Sequence, residues 1–339
     1  MSKPVGFPAG FFLLTNRNKF VNLVNNMVNE NKSTKQKILE VLRASTEPVS
    51  GEKLAGESGV SRTAVWKSIQ SLQKSGYGII VGRSGYVLES DLSNSLCPWE
   101  FGKEEKSFIH FDATDSTMTE ARKIAMDQSG SEIRCVTTDM QTNGRGHQNH
   151  KWQTTQESLA FTLICRDKIL GAEENRLVMA AMVSACSVLN RISDKNFYLR
   201  WPNDIWTREG KVSGILDEYN CVGGECSWVN LGIGINYMKK PALKKTDSVF
   251  GANAKVSRKE FVSLFMNEFD ETRKSLLSLD SSLCDKWNSL CMDLGKSVVC
   301  KESGNYVFEG INAYGWAVLK ENSGDAKRIV PPGKISFVK

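Results

Sequence analysis

Residues 200–218 read RWPNDIWTREGKVSGILDE. Arg200-Trp201-Pro202-Asn203-Asp204 stands at a strand end, where Trp201 and Pro202 shape a turn with Asp204 at its tip. Lys211 opens the next strand, Lys211–Glu218, and Gly214 within it permits close backbone approach because it has no side chain. Upstream, residues 141–152 read QTNGRGHQNHKW. Glycines on either side of Arg145 let backbone N–H groups and a guanidinium reach one anion together. The same composition also describes an ordinary surface loop. Lys211, Arg145, a glycine loop and Asp204 form a set suited to stabilising a phosphorus-centred transition state.

Working outward, strand patterns at Ile109–Phe111, Arg134–Thr138, Leu159–Cys165, Phe197–Trp201 and Trp228–Ile235 alternate with helical patterns. The helices are Thr117–Met126, Asn175–Ile192 and Arg258–Leu277, the last opened by the capping box Ser257-x-x-Glu260. Strands outnumber long helices and several are hairpin neighbours. This predicts an α+β sheet with helices on one face rather than a doubly wound parallel sheet. Beyond about Gly295 come short strands at Val298–Cys300, Tyr306–Ile311, Trp316–Lys320 and Ile335–Val338, separated by glycine or polar turns. They predict a small C-terminal β-barrel.

Toward the N-terminus, residues 34–75 read as three short helices. Lys35–Arg43 has Ser33 and Thr34 as cap candidates, and Gly51–Gly56 follows Pro48 and Ser50. The third starts at Ser61, ends before Gly76, and buries Val65, Ile69 and Leu72 at i, i+4, i+7. Its other face shows Arg62, Thr63, Trp66, Lys67, Gln70 and Lys74. Ile79–Val81 and Tyr86–Leu88 flank Gly82-Arg83-Ser84-Gly85, a hairpin signal. Helix, helix, glycine turn, helix, hairpin is the order of a winged helix-turn-helix, whose third helix enters a DNA major groove with Arg83 at the wing tip. A small protein-interaction module is the alternative.

The chain has 339 residues and a formal charge of +6, ample length for two domains and for a core without staples. The charge is uneven: residues 1–92 carry 12 Lys/Arg against 7 Asp/Glu, and the rest 32 against 31, which hints at a polyanion-binding module joined to a neutral body, although charge alone favours the plainer reading of a basic tail on a soluble enzyme. No apolar run approaches the roughly 18 residues of a spanning helix. The nine cysteines include no C-x-x-C pair and are expected as buried, reduced thiols of a cytoplasmic protein. Pro8–Leu14 lacks the flanks of a signal peptide, and Met27 is a second candidate start before the first structured pattern. There is no Walker A loop, and Gly232-Ile233-Gly234 lacks the third glycine of a dinucleotide fingerprint. His147 and His150 form a pair without a nearby third ligand, so no metal site is expected.

Five ordered segments now carry a resemblance: Asp115-Ser116-Thr117, Gln141 with Gly144-Arg145-Gly146 to Trp152, Arg200–Asp204, Lys211–Glu218 and Gly232–Asn236. In order and spacing they resemble the biotin–protein ligases of the bifunctional ligase/repressor type, over about residues 34–339. The resemblance implies a winged helix at 34–92 after a tail at 1–33, a mixed-sheet ligase domain at 93–290 and an SH3-like domain at 291–339. It implies biotin and Mg-ATP as substrates, a biotinyl-5′-AMP intermediate, and transfer to a lysine of a carboxylase's biotin carrier domain. Ser116, Thr117, Gln141, Gly144, Arg145, Gly146, Lys211 and Gly214 would line the biotin pocket. Arg145, His147, Trp152, Asn203, Asp204, Lys211, Gly234 and Asn236 would face ATP or the adenylate, with Lys211, Arg145 and Asp204 acting in catalysis. Residues 237–256 would cover the adenine.

The resemblance further implies repression at operator DNA through Ser61, Arg62, Thr63, Trp66, Lys67, Gln70, Lys74 and Arg83. The repressing form would be an adenylate-bound homodimer in the cytoplasm, with no membrane partner. The chain departs from the pattern at His147, where the family usually has Arg, at Gln148, Asn149 and His150, and at Met118, where many members have Asn. Loss of a permanent charge at His147 implies weaker adenylate retention, strengthening as pH falls through the histidine range. Two other activities fit parts of the pattern. A lipoate–protein ligase shares the fold, but its Arg-Arg-x-Ser-Gly-Gly-Gly loop is absent here. A ligand-sensing transcription factor would have no need of the Lys211 and Arg145 pair.

Overall fold

The computed structural model describes residues 32–337 apart from 93–94, 128–131, 148–149, 156, 168, 172, 275–280, 301–303, 323 and 334. Most of the N-terminal tail, Gln148 and Asn149, and the expected ends of the Arg258–Leu277 helix and the Ile335–Val338 strand lie outside the described residues. The chain forms two compact units, one of residues up to Leu92 with Trp99–Glu105, the other of Ser93–Pro98 and Lys106 onward.

In the first unit, α1 (Thr34–Arg43), α2 (Gly51–Ser58) and α3 (Arg62–Lys74) each start at a serine N-cap. Ser33, Ser50 and Ser61 accept the backbone N–H groups of Gln36, Lys53 and Ala64, each cap contributing about 1 kcal/mol. The α2–α3 turn passes through Gly59 at φ 69°. Ile38, Leu39, Leu42, Leu54, Val65, Ile69 and Leu72 close one core. β1 (Gly78–Gly82) and β2 (Gly85–Ser90) pair antiparallel as the wing, and the Gln73 amide of α3 donates to the Ile79 carbonyl. This is the winged helix-turn-helix expected from the sequence.

The second unit is built on an eight-stranded mixed sheet. Its strands are β3 (Phe108–Thr114), β4 (Cys135–Gln141), β5 (Leu159–Cys165), β6 (Ile169–Leu170), β7 (Tyr198–Arg200), β8 (Asp204–Trp206), β9 (Lys211–Val222) and β10 (Glu225–Ile235). The order is β3-β4-β5-β10-β9-β8-β7, with β6 paired to β10, and only β3 and β4 run parallel. Helix α4 (Thr117–Met126) follows β3, α5 (Glu174–Ile192) follows β6, and α6 (Arg258–Lys274) and α7 (Ser282–Leu290) follow β10. The Ser257/Glu260 capping box at α6 forms in both directions, with contacts of 3.4 and 3.2 Å.

Helices lie on both faces of this sheet, not one as expected. Thr162 donates to Thr117 of α4, and Ile164 packs on Ala121 of the same helix. Phe161, on the opposite face by strand alternation, meets Phe265 of α6 edge to face at 5.4 Å. The α5 helix is apolar nearly all round, which suits burial between the sheet and α6.

The C-terminal part is a five-stranded antiparallel sheet of β11 (Ser297–Cys300), β12 (Gly304–Ile311), β13 (Ala317–Glu321), β14 (Lys327–Val330) and β15 (Ile335–Phe337), ordered β14-β13-β12-β11-β15. Strands β6, β8 and β14 and helix α7 have no counterpart in the sequence reading; the three strands are only two to four residues long, whereas α7 does carry a helical period, Leu283, Trp287 and Leu290.

The cysteine expectation is corrected at one place. Cys221 and Cys226 are joined by a disulfide, because the Gly223-Gly224 turn, with both φ positive, sets them opposite each other across the β9–β10 hairpin. Cys97 and Cys300 are buried, Cys135, Cys165 and Cys186 are buried free thiols, and burial pushes Cys165 and Cys186 up to about 12.

Asn230, on central strand β10, is fully buried, and neither atom of its amide has a hydrogen-bond partner among the described residues. An unpaired buried amide costs about 1–3 kcal/mol. Asn230→Val is therefore expected to raise the thermal midpoint in a calorimetric melt. A lowered midpoint would show that the amide is satisfied by bound water.

Candidate active site

A cavity of about 810 Å³ opens on the second unit where α4, the end of β4, the first half of β9, the end of β10, and a tongue around Arg145–His147 and His150–Trp152 converge. Trp316 and Pro331–Gly333 of the C-terminal sheet form a further wall. Of the residues singled out from sequence, Ser116, Thr117, Gln141, Arg145, Gly146, His147, Trp152, Asn203, Asp204, Lys211, Gly214 and Gly234 line it. Residues from five stretches of chain thus meet in one volume.

One end is polar and uncharged. Ser116 caps α4, its hydroxyl accepting from the Met118 N–H. The Thr117 N–H and hydroxyl both donate to Gln141 Oε1, at 3.0 and 3.1 Å. The Gln141 amide nitrogen donates to Thr154 at 3.2 Å, while the Thr162 hydroxyl donates to Thr117 at 2.8 Å. Two sheet strands therefore fix the donors and acceptors of this end before any ligand arrives. Met118 lies against Gly232, where a Cβ would come within 2.7 Å of its sulfur.

The other end is charged. Lys211 Nζ lies 2.7 Å from Asp204 Oδ1 and 5.7 Å from the centre of the Trp152 ring. The turn bearing Asp204 is sewn to β9: the Asn203 amide donates to the Ile215 carbonyl at 2.7 Å, and the Ile215 N–H returns to the Asn203 carbonyl at 2.9 Å. Behind it, the Arg200 guanidinium stacks on Trp206 at 4.4 Å and reaches buried Asp293 at 3.4 Å.

Residues 144–147 and 150–152 form a folded tongue. Gly146 N–H donates to His150 O, Trp152 N–H to Gly144 O, and Arg145 bridges Lys151. Gly144 is buried against the Trp152 carbonyl, which a Cβ would approach to 2.5 Å. Trp152 lies flat on Gly234, whose Cβ would sit 2.5 Å from the indole. The tongue ends on β9: His147 Nε2 donates to the Ile215 carbonyl at 3.1 Å, and Arg145 lies 3.6 Å from Glu218, which also pairs with Arg122. Arg145 is exposed at the mouth.

Three expected contacts fall elsewhere. Gly144 shapes the tongue but does not line the main cavity. Asn236 is buried, its amide donating to the carbonyls of Lys211 and Asp247, so it braces backbone rather than facing the cavity. Residues 237–256 do not line this cavity either; Lys239–Ala242 border a second one of about 590 Å³ beyond the tongue, with Lys151 and Trp152 on its near wall. Sequence reading passed over Glu174, at the start of α5, and Asp217, which both line the main cavity. Neither stands at a position where the pattern singles it out. Burial raises the Glu174 carboxyl above its ordinary value, with Asp217 adding repulsion.

Among the described residues, one group has metal-ligand geometry, His110, Asp112 and Asp139, and none of these lines the cavity. Burial would raise the Asp139 carboxyl, but His110 and Arg258 hold it below its ordinary value.

In the first unit, Arg62, Thr63, Trp66, Lys67, Gln70 and Lys74 are all exposed on α3, and Arg83 is exposed at the β1–β2 turn. The Ser61 hydroxyl serves as the α3 cap.

These observations can be set beside known proteins. Residues 34–87 match the family described as HTH domain, and residues 110–236 the Biotin/lipoate A/B protein ligase family. The bifunctional ligase/repressor BirA of Bacillus subtilis is 32% identical over 209 residues, 59% of this chain and 63% of that protein. The match thus spans just under two thirds of that relative's length. A biotin–[acetyl-CoA-carboxylase] ligase of Paracoccus denitrificans is 28% identical over 66% of this chain and 98% of its own. A biotin protein ligase from Aquifex aeolicus, solved with biotin and ATP, superposes with a TM-score of 0.55 at 22% identity, covering 69% of this chain and 99% of that one, which shows a shared fold.

The raised Glu174 carboxyl yields a signed expectation. Its ionised form is disfavoured on folding, a penalty absent below the unfolded carboxyl range and developed fully above the folded value. Glu174→Gln is expected to raise the thermal midpoint at neutral pH and to leave it unchanged at about pH 3, below the unfolded carboxyl range. Equal gains at both pH values would show that burial of the charge is not the cause.

Proposed function

We propose that this chain is an ATP-dependent biotin–protein ligase with a DNA-binding arm that represses transcription. One observation carries the enzymatic part: the Lys211–Asp204 pair stands between a neutral hydrogen-bonding end at Thr117 and Gln141 and an arginine-bearing tongue at Arg145, in one cavity. The neutral end suits a cyclic urea, which offers N–H donors and a carbonyl acceptor to Ser116, Thr117 and Gln141. The apolar side chains of Met118 and Trp152, which cover Gly232 and Gly234, suit the ligand's thioether ring and acyl chain.

In the first step a biotin carboxylate oxygen attacks the α-phosphorus of ATP, a P–O bond breaks, and pyrophosphate leaves. Lys211 offsets the charge that gathers on the α-phosphoryl oxygens, and Arg145 with His147 faces the departing phosphates. Mg²⁺ enters with ATP as part of the substrate. In the second step a lysine amine of a carboxylase's biotin carrier domain attacks the mixed anhydride carbonyl. The amide bond forms, the bond to phosphate breaks, and AMP leaves. Asp204, beside Lys211, is placed to take the amine proton. Trp152 and the tongue exclude the water that would hydrolyse the anhydride. Use of ATP fits a cytoplasmic location.

The arm would bind operator DNA as a homodimer, because a palindromic site presents two half-sites. Binding of the adenylate and of DNA would then favour one another reciprocally.

The deciding assay incubates the protein with labelled biotin, Mg-ATP and a biotin carrier domain. Covalent label on the carrier is expected, with Lys211→Ala lowering adenylation about 10²–10³-fold. Label that appears only with lipoate, or not at all, overturns the reading in favour of a lipoate ligase or a ligand sensor. A gel-shift series tests the arm. Biotin plus ATP should tighten binding to operator DNA, and Lys67→Ala should lower the salt slope by about one. Binding indifferent to both would remove the repressor role.

A further inference from the structure

The backbone of Lys211 is held by a segment that no motif marks. Its N–H donates to the Lys245 carbonyl and its carbonyl accepts from the Asp247 N–H, both at 2.9 Å, so residues 245–247 run beside it like a short parallel strand. Gly210 makes this approach possible: a Cβ there would come within 2.4 Å of the Lys245 carbonyl carbon. The Asn236 amide crosses the gap to the carbonyls of Lys211 and Asp247.

What holds the segment in place is one buried carboxylate. Asp247 accepts from Lys195 Nζ at 2.8 Å on one oxygen and from the Thr207 hydroxyl at 2.7 Å on the other. Lys195 also donates to the Ser248 carbonyl at 2.7 Å, and Ser193 to the Val249 carbonyl at 3.0 Å. The turn after α5 thereby clasps residues 247–249 from behind. Burial alone would raise the Asp247 carboxyl, but these donors and the Ser248 N–H hold it below its ordinary value, so it stays charged. None of Lys195, Thr207 and Asp247 lines the main cavity.

We propose that Asp247 is a positioning residue for Lys211: with Lys195 and Thr207 it locks residues 245–249 against the first residue of β9 and so keeps the Lys211 ammonium at Asp204. A lysine side chain has four rotatable bonds, and its head is placed only as well as its backbone. Displacement of a charge-stabilising group by about 1 Å costs up to about 10²-fold in rate. Its catalytic consequence rests on the ligase reading; the structural claim does not.

Two measurements test it. The first is biotin-dependent exchange of labelled pyrophosphate into ATP. Asp247→Ala is expected to lower kcat at least about tenfold with KM for biotin and ATP within about threefold. Asp247→Asn, which keeps an acceptor for Thr207 but lacks the charge facing Lys195, is expected to fall between. A loss confined to KM would instead place the segment in ligand contact and overturn the proposal. The second is the rate of reductive methylation of Lys211, read by mass spectrometry on the full chain. It should rise several-fold in both variants, while Lys296, paired with Asp293, stays unchanged. An unchanged Lys211 rate in either variant, with a cooperative melt confirming the fold, overturns the proposal. An inactive wild type refutes the ligase reading alone and leaves the methylation result to decide the positioning role.

Discussion

A single ammonium, Lys211 Nζ, sits in a cavity with an indole on one side and a carboxylate 2.7 Å away, and much of the second unit is arranged around keeping it there. A charge so placed gains from a partner of opposite sign beside it. Asp204 supplies the pair, but the two residues come from different strands. They meet because β8 and β9 are hydrogen-bonded with Asp204 opposite Gly214, so the Lys211 side chain passes over a glycine to reach its partner. The pairing of Asn203 with Ile215 then fixes the turn that carries Asp204. The register of one hairpin thus sets the distance between the two charges.

The tongue obeys the same constraint from the opposite side. It is organised by the glycines that let its backbone close and let Trp152 lie on β10. His147 and Arg145 end on β9, the strand that Lys211 opens. One strand therefore carries the ammonium, receives the tongue and pairs with the carboxylate's strand. A slip of one residue in β9 would invert all three relations, because successive side chains point to opposite faces.

Much of this was legible in sequence where the signal is local. Leu159–Cys165 and Thr117–Met126 have the predicted bounds, since a continuous apolar run and a serine cap before a helical period each need only neighbours. The wing was readable from glycines at its turn, and the cavity's walls from short segments rich in Gly, Lys and Arg. What could not be read is set by distance along the chain. Placement of α4 on the opposite face from α6 depends on which side of β5 each helix reaches, and that is a matter of connection, not pattern. The Cys221–Cys226 pair depends on hairpin register. Asn236 reads like a site residue because alternation would give it the face of Gly232 and Gly234, yet it lies past the end of β10, where the 247 segment draws its amide inward.

The buried groups behind the cavity point to a division of labour between its two ends. At the neutral end, Thr117, Gln141 and Thr162 form a chain of hydrogen bonds anchored in strands β4 and β5, which pre-orients donors and acceptors at little entropic cost on binding. At the charged end, position depends on loops: the Trp201–Asp204 turn, the tongue and the 245–249 segment. Loops hold a charge accurately only when each is tied to something rigid, and here each tie is itself ionic or hydrogen-bonded. Arg200 reaches the buried Asp293, Arg145 reaches Glu218, and Asp247 reaches Lys195. The neutral end is therefore held by strands and the charged end by tied loops, a division that suits the proposed two-step transfer, in which one small molecule is gripped while charge builds first on phosphorus and then on an acyl carbon.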